Sequence, residues 1–190
     1  MELKTLEKTT ELGKKGSYKI WMDTGYGIFC KEGPSGIVVE RLARELNKNK
    51  SGFYHFFGDR EYFFETMMKE HLERADEIAD RIRRIGTFDP DFYQIMMDYK
   101  KPVLFQMQLV KNRETELFAK TFQQFNSKIV GAVIPVWSDH LQVPCDVAIS
   151  LWTIARDSFY ARITEENFNS RFFDDLVKEV SALVNRQFSN

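Results

Sequence analysis

Hydrophobic residues in this chain recur at spacings of three and four rather than two, and the pattern predicts helices throughout. Residues 1–13 are polar and read as a frayed lead-in. A first helix is predicted from about Lys14 to Lys31, with Ile20, Thr24 and Ile28 alongside Trp21, Gly25 and Phe29, and Gly33-Pro34-Ser35-Gly36 stops it. Val39, Leu42, Ala43 and Leu46 fall at i, i+3, i+4 and i+7, so a short second helix has one apolar face and leaves Glu40, Arg41, Arg44 and Glu45 to water or a partner. Asn47-Lys48-Asn49 interrupts the pattern, and the Asn49 side chain is suited to cap a third helix. On that helix Phe53, Phe56 and Phe57 cluster on one side. Ser51, Tyr54 and His55 point the opposite way, flanked by Lys50, and Gly52 leaves a gap at the edge of the outward face.

Asp59 is placed to cap a long fourth helix reaching about Ile85, with an inner stripe of Phe64, Met68, His71, Ala75, Ile78, Ile82 and Ile85. Its outer face carries Glu65/Lys69, Glu70/Arg74, Glu77/Arg81 and Asp80/Arg84, each acid four residues before a base. Gly86-Thr87-Phe88 reads as a hinge and Asp89-Pro90 as a helix start. Further helices are predicted over about Pro90–Lys111, Glu114–Leu141, Asp146–Ile163 and Glu165–Phe188, with kinks near Lys101 and Ile134 ahead of Pro102 and Pro135. No segment alternates long enough to form a sheet, so the expected class is all-α.

The outward set of the third helix is chemically suited to duplex DNA. Lysine attracts phosphate, hydroxyl and imidazole groups reach phosphate oxygens or base edges, and a missing side chain permits close backbone approach. A small helical hairpin with a solvated polar face is the plainer reading of the same spacing. The run from about Trp21 to Glu61, roughly a quarter of the chain, resembles the DNA-binding domain of the TetR family of transcriptional regulators. Trp21, Gly25, Phe29 and Gly33 match the spacing of the family's first helix and Leu42-Ala43 the apolar pair of its second. Phe53-Tyr54-His55-Phe56-Phe57 followed by Gly58-Asp59-Arg60-Glu61 matches the recognition helix and its exit. The resemblance implies a phosphate-contacting role for Tyr54, groove-facing positions at Asn49, Lys50, Ser51, Gly52 and His55, and a basic contact from Arg60. Lys48 stands where the family usually has a small apolar residue and Val38 where it often has a phosphate-binding threonine, with Ser35 the candidate cap of the second helix. The DNA-binding set is therefore Ser35, Lys48, Asn49, Lys50, Ser51, Gly52, Tyr54, His55 and Arg60.

Composition changes this picture little. The 190 residues carry a formal charge of −1, with 11 Lys/Arg against 8 Asp/Glu in residues 1–60 (+3) and 16 against 20 in residues 61–190 (−4). Two separated cysteines, Cys30 and Cys145, give no disulfide framework or metal spacing, and a reducing cytoplasm is the simplest setting. The stretch Met1–Lys8 lacks the unbroken apolar segment expected of a signal peptide, and the longest apolar run, Ile129–Trp137, is too short to span a membrane and contains Pro135. No nucleophile elbow, phosphate loop or HExxH motif is present, His55, His71 and His140 are widely spaced, and His71 reads as a satisfied packing residue rather than a metal ligand. Neither an enzyme nor a metal or other cofactor is expected.

The expected organisation is an N-terminal three-helix helix-turn-helix domain over residues 1–60, a connecting helix over 61–86 and a helical regulatory and dimerisation domain over 87–190. In the last of these, Tyr99, Phe105, Gln108, Phe122, Asn126, Trp137, Trp152 and Arg156 are candidates to line a pocket, against the blander reading of a plain aromatic core. The wide apolar faces of the last two helices offer Leu151, Ile154, Phe159, Phe172, Leu176, Val180 and Leu183 to a symmetry mate, against a thick monomeric core. The resemblance implies a homodimer that sets two recognition helices in successive major grooves of an operator and releases it when a small apolar or amphipathic effector binds. The alternative is a helical ligand-sensing or protein-interaction module whose DNA-binding unit has degenerated.

Overall fold

The computed structural model describes the backbone of residues 2–188 and the side chains of residues 17–184. The chain is all-α, with no strand among the described residues. α1 (Glu2–Glu32) leads through a 3-10 turn over Gly33–Gly36 to α2 (Val39–Glu45), α3 (Lys50–Phe57) and α4 (Arg60–Ile82). A π-type turn over Phe88–Phe92 then precedes α5 (Tyr93–Asp98), α6 (Lys100–Lys111), α7 (Glu116–Leu141), α8 (Cys145–Arg162) and α9 (Ser170–Phe188). Among the described residues no helix is long and apolar enough to cross a membrane.

Several boundaries depart from the sequence pattern for local reasons. α1 begins at Glu2, well before Lys14, and α4 ends at Ile82, one turn short of Ile85. The helix expected over Pro90–Lys111 is in three pieces. Asp89 is extended (ψ 124°), as the residue before a proline prefers. The second break falls at Tyr99 (φ −101°, ψ 31°), which puts Pro102 in the first turn of α6, where its missing amide hydrogen costs nothing. Pro135, by contrast, is accommodated within α7, and the residue four before it, Gly131, is exposed, so a carbonyl without an amide partner is solvated there. α9 starts at Ser170 rather than Glu165 because the Asn169 side chain accepts the Phe172 amide (3.0 Å).

The expected hinge is pinned. Asp91 accepts from the amides of Gly86 (3.3 Å) and Thr87 (3.0 Å) and from the Thr87 hydroxyl (3.0 Å), while Phe88 is buried against Phe92 and Trp137. The four acid-before-base pairs expected along α4 do not form. Asp80 takes Arg83 rather than Arg84 (2.6 Å), and Arg81 and Arg74 reach other helices, Arg81 pairing with Asp98 of α5 and Arg74 lying over the Tyr26 ring of α1 (4.2 Å); Asp76 also pairs across, with Lys128 of α7.

The core is one continuous aromatic and aliphatic mass, and α1 joins its two ends. Trp21 of α1 packs against Phe53 of α3 (5.7 Å), and farther along the same helix Tyr26 and Phe29 stack on Phe105 of α6 (4.5 and 4.3 Å). The α1–α4 contact depends on Gly25. A Cβ there would lie 2.4 Å from the Phe63 ring, which is fully buried and held by Phe53 and Phe57 (5.1 and 4.7 Å). Gly25→Ala is therefore expected to destabilise the fold by about 1–3 kcal/mol through overpacking. Urea unfolding followed by circular dichroism measures this, and an unchanged midpoint would show that Phe63 can move.

Candidate nucleic-acid interface and ligand cavity

The segment between α2 and α3 is a tight turn fixed by its asparagines. Asn47 takes a left-handed conformation (φ 49°), which asparagine tolerates better than most residues, and the Lys48 amide returns to the Ala43 carbonyl (2.9 Å). The Asn49 side chain accepts the Ser51 amide (3.1 Å) and starts α3. Gly58 (φ 69°) stops the helix after eight residues, and Asp59 then caps α4 by accepting the Tyr62 amide (2.7 Å). So short a helix cannot hold itself together by propensity, and its stability comes from packing. Phe53 and Phe57 are buried beneath it, and Phe56 is half-buried, edge-on to Tyr18 (6.2 Å).

Opposite this aromatic base, Lys50, Ser51, Tyr54 and His55 are exposed, and the exposed surface continues through Lys48 and Asn49 of the turn. These six of the nine candidate DNA-binding residues lie on one short stretch of surface. Lys48 Nζ rests 3.4 Å from the Ser17 hydroxyl and Lys50 Nζ 2.9 Å from a Glu40 carboxylate oxygen. Both members of that pair are more than half exposed, so the contact is readily exchanged for another anion. The remaining three candidates are placed differently. Gly52 turns inward, since a Cβ there would touch the Trp21 indole at 3.7 Å, and it belongs to the α3–α1 packing rather than to the outward face. Ser35 donates to the Glu32 carbonyl (3.0 Å) and does not cap α2, whose N-cap position is held by Val38 with no side-chain bond. Arg60 is exposed at the start of α4 with its guanidinium over Phe64 (5.6 Å).

A cavity of about 90 Å³ lies among α4, α5, α6, α7, α8 and α9. Tyr99, Asn126, Trp137, Trp152 and Arg156 all line it; Phe105, Gln108 and Phe122 do not. Phe105 is sealed in the α1–α4–α6 core, Gln108 donates to the Lys31 carbonyl at the end of α1 (3.0 Å), and Phe122 stands edge-on to Tyr160 (5.4 Å). Sequence reasoning missed Phe88, Tyr93 and Tyr160 as wall residues. It also assigned Phe159, Leu176 and Val180 to a partner-facing surface, whereas all three are buried within the chain, with Phe159 stacked on Phe173 (5.7 Å). On that side Ile154 and Leu183 are exposed, together with Ile149, and Leu151 and Phe172 are half-buried. The indole N–H groups of Trp137 and Trp152 are buried without a protein acceptor, each at a cost of about 1–3 kcal/mol if nothing else accepts from them.

Asn126 also ends a buried chain of hydrogen bonds that takes one polar residue from each of four helices. Its amide nitrogen donates to the Phe122 carbonyl (2.8 Å) and to Gln106 Oε1 (3.3 Å). Gln106 then presents its nitrogen to His71 Nε2 (2.7 Å), and His71 Nδ1 faces the Tyr26 hydroxyl (2.8 Å). A backbone carbonyl can only accept, so Phe122 fixes the direction of the whole chain: Gln106 donates, His71 Nε2 accepts, and the imidazole proton sits on Nδ1 toward Tyr26. A second imidazole proton would face the Gln106 amide hydrogens. Burial first, and the Arg74 charge second, hold the His71 pKa well below its ordinary value, in keeping with a neutral ring stacked between Phe105 and Phe125 (4.1 and 4.6 Å). Burial also pushes the Cys30 thiol, which donates to the Lys101 carbonyl, up to about 12, so it is an unreactive packing group.

No known protein family, curated protein or solved structure matches this chain.

The His71 chain predicts a pH dependence. Because the folded pKa is depressed, the unfolded state binds the extra proton first. Stability is then full above the unfolded histidine value near 6.5 and falls by up to about 1.4 kcal/mol per pH unit as acid is added below it. His71→Phe should lower stability at pH 7.5 by about 1–3 kcal/mol, by stranding the Gln106 amide and the Tyr26 hydroxyl, and should flatten this slope. Urea unfolding of both proteins at pH 7.5 and 5.0 is the check; parallel slopes would contradict the assignment.

Proposed function

We propose that the chain is a DNA-binding transcriptional regulator of the TetR type, acting as a homodimeric repressor whose operator affinity is set by a small molecule in the cavity. The observation that carries this reading is the outward face of α3. Lysine, serine, tyrosine and histidine stand exposed on an eight-residue helix whose other side is locked into aromatic packing. A stiff, protruding helix with phosphate-directed and base-directed groups suits a major groove, and the likeness of Trp21–Glu61 to the family's DNA-binding domain supports it. In this reading Lys48, Lys50 and Tyr54 hold phosphates while Asn49, Ser51 and His55 face base edges, and Gly52 and Ser35 take no part in contact. The exposed Ile154 and Leu183, with Leu151 and Phe172 beside them, form the face offered to a second copy. The Glu40–Lys50 pair favours the second reading, a ligand-sensing module with an ineffective DNA-binding unit, because the acid partly masks a lysine on the contact face.

Titration of a random duplex pool across salt concentrations separates the two. A phosphate-contacting dimer loses affinity with a log–log slope of roughly −0.9 per phosphate neutralised. Salt-independent or undetectable binding favours the second reading. Tyr54→Ala should weaken binding about tenfold, the scale of a lost phosphate hydrogen bond in each half-site, with the helical signal and dimer mass unchanged. Gly52→Ala should leave affinity within about twofold while raising stability by about 0.5–1 kcal/mol, since the added methyl meets Trp21 at an ordinary distance. Equal affinity for Tyr54→Ala and the parent rules out this docking face, and a monomeric mass at micromolar concentration rules out the dimer.

A further inference from the structure

We infer that Glu40 is an affinity-limiting residue of the DNA interface: its carboxylate, 2.9 Å from Lys50 Nζ, withholds that lysine from the phosphate backbone. This rests on the DNA-binding reading of α3 and goes on to name the residue that sets the strength of its sequence-independent contact.

The pair joins two helix starts whose relative position is fixed. Glu40 lies in the first turn of α2 and Lys50 is the first residue of α3, and the turn between the helices is held by the Lys48 amide on the Ala43 carbonyl (2.9 Å) and by the Asn49 cap. Leu42 and Phe53 are buried beneath the two helices. Among the described residues, Glu40–Lys50 is the one ion pair that involves a candidate DNA-binding residue. Lys48 meets only the Ser17 hydroxyl and Arg60 the Phe64 ring, while the neighbouring acids Glu32 and Glu45 are both engaged by Arg41. The bond from Lys50 holds the Glu40 carboxyl below its ordinary range, so the acid is charged at neutral pH.

Exposure makes the pair exchangeable, but the exchange gains little. A lysine that kept Glu40 while touching a phosphate would hold two anions within about 6 Å of each other, two hydrogen-bond lengths, which is inside the Debye length of roughly 8–10 Å. If Lys50 instead leaves for the phosphate, one solvated ion pair replaces another and Glu40 is left uncompensated beside the duplex. Either way, Glu40 and Lys50 together bring no net positive charge to the interface and drive no net release of counterions. Lys48 keeps its full charge, and the base-directed Ser51 and His55 are untouched. What Glu40 removes is sequence-independent affinity, the part for which bulk genomic DNA competes.

Salt titration of random-sequence duplex DNA with the full chain, its Glu40→Gln and Lys50→Gln variants and the double variant tests this. Both side chains are more than half exposed, so neither change disturbs the core. Glu40→Gln should tighten binding about three- to thirtyfold at ~0.1 M salt, the scale of one exposed pair in each half-site of a dimer, and should steepen the log–log slope by about 1.8, roughly 0.9 for each α3 in contact. Lys50→Gln should weaken the Glu40→Gln protein several-fold more than it weakens the parent, because in the parent the lysine is already engaged. Equal effects of Lys50→Gln in the two backgrounds would show that Glu40 acts only as a repelling charge and would overturn the inference, as would an unchanged slope for Glu40→Gln. In either case a salt-dependent parent leaves the DNA-binding reading standing. Binding by Glu40→Gln alone would support the withholding of Lys50 and overturn the parent's role as a repressor, and absence of binding by both would overturn the two together.

Discussion

The buried hydrogen-bond chain Tyr26–His71–Gln106–Asn126 sets the register of the molecule. Each member comes from a different helix, α1, α4, α6 and α7 in turn, and each sits in surroundings that are otherwise aromatic. Apolar packing alone would let these helices slide against one another with small changes in buried area, because rings stack over a range of offsets. Directional bonds do not allow that, since a slip of one residue would strand four polar side chains in a dry core. The chain has a single polarity because it is anchored on the Phe122 carbonyl, so only the neutral form of His71 completes it. Specification of a unique packing and sensitivity to acid therefore have one origin.

What was legible in the sequence follows from how local each interaction is. The turn and α3 could be read closely because their determinants lie within a few residues: the break at Asn47-Lys48-Asn49, the Asn49 and Asp59 caps, and the opposition of Phe53 and Phe57 to Tyr54 and His55. Gly52 was misread because its neighbour is Trp21, a residue of another helix. α6 was the hardest case, since every residue from Pro102 to Leu109 is buried. In a helix covered on all sides the sequence pattern does not say which neighbour each buried face meets, so it cannot tell that Phe105 faces α1 and α4 while Val103 faces the cavity. The same limit applied to α8 and α9, whose apolar faces were wide enough for two neighbours. One of those neighbours proved to be the rest of this chain, which absorbed Phe159, Leu176 and Val180.

The ion pairs on α4 show a related limit. Spacing of four residues places acid and base on one helical face, but an intrahelical pair gains only a few tenths of a kcal/mol. Any partner on an adjacent helix with comparable geometry competes with it. Here Asp80 took Arg83 in place of Arg84, and Arg81 and Arg74 were drawn across helices, to Asp98 and the ring of Tyr26. The last of these ties the surface of α4 to the first member of the buried chain.

Position, rather than distance, connects the cavity with the exposed face of α3 in the proposed regulator. Asn126 is both a wall residue and the terminal member of the chain, and its amide hydrogens are already committed to Phe122 and Gln106, which leaves its carbonyl oxygen as the group an occupant can engage. At the other end Tyr26 lies five residues from Trp21, about one and a half helical turns, on the helix whose indole supports Phe53. A ligand alters the outward helix only if it binds better to one arrangement of these elements than to another, whatever its overall affinity. A chain of bonds with one permitted direction is suited to this because it has few intermediate states: a rotation at Asn126 that breaks the Gln106 bond removes the orientation of Gln106, and with it the acceptor geometry at His71. A purely apolar wall would yield gradually by repacking. In the proposed regulator, a polar chain of this kind would make the response of α1 to an occupant of the cavity closer to two-state, the property a repressor needs if its release is to be sharp.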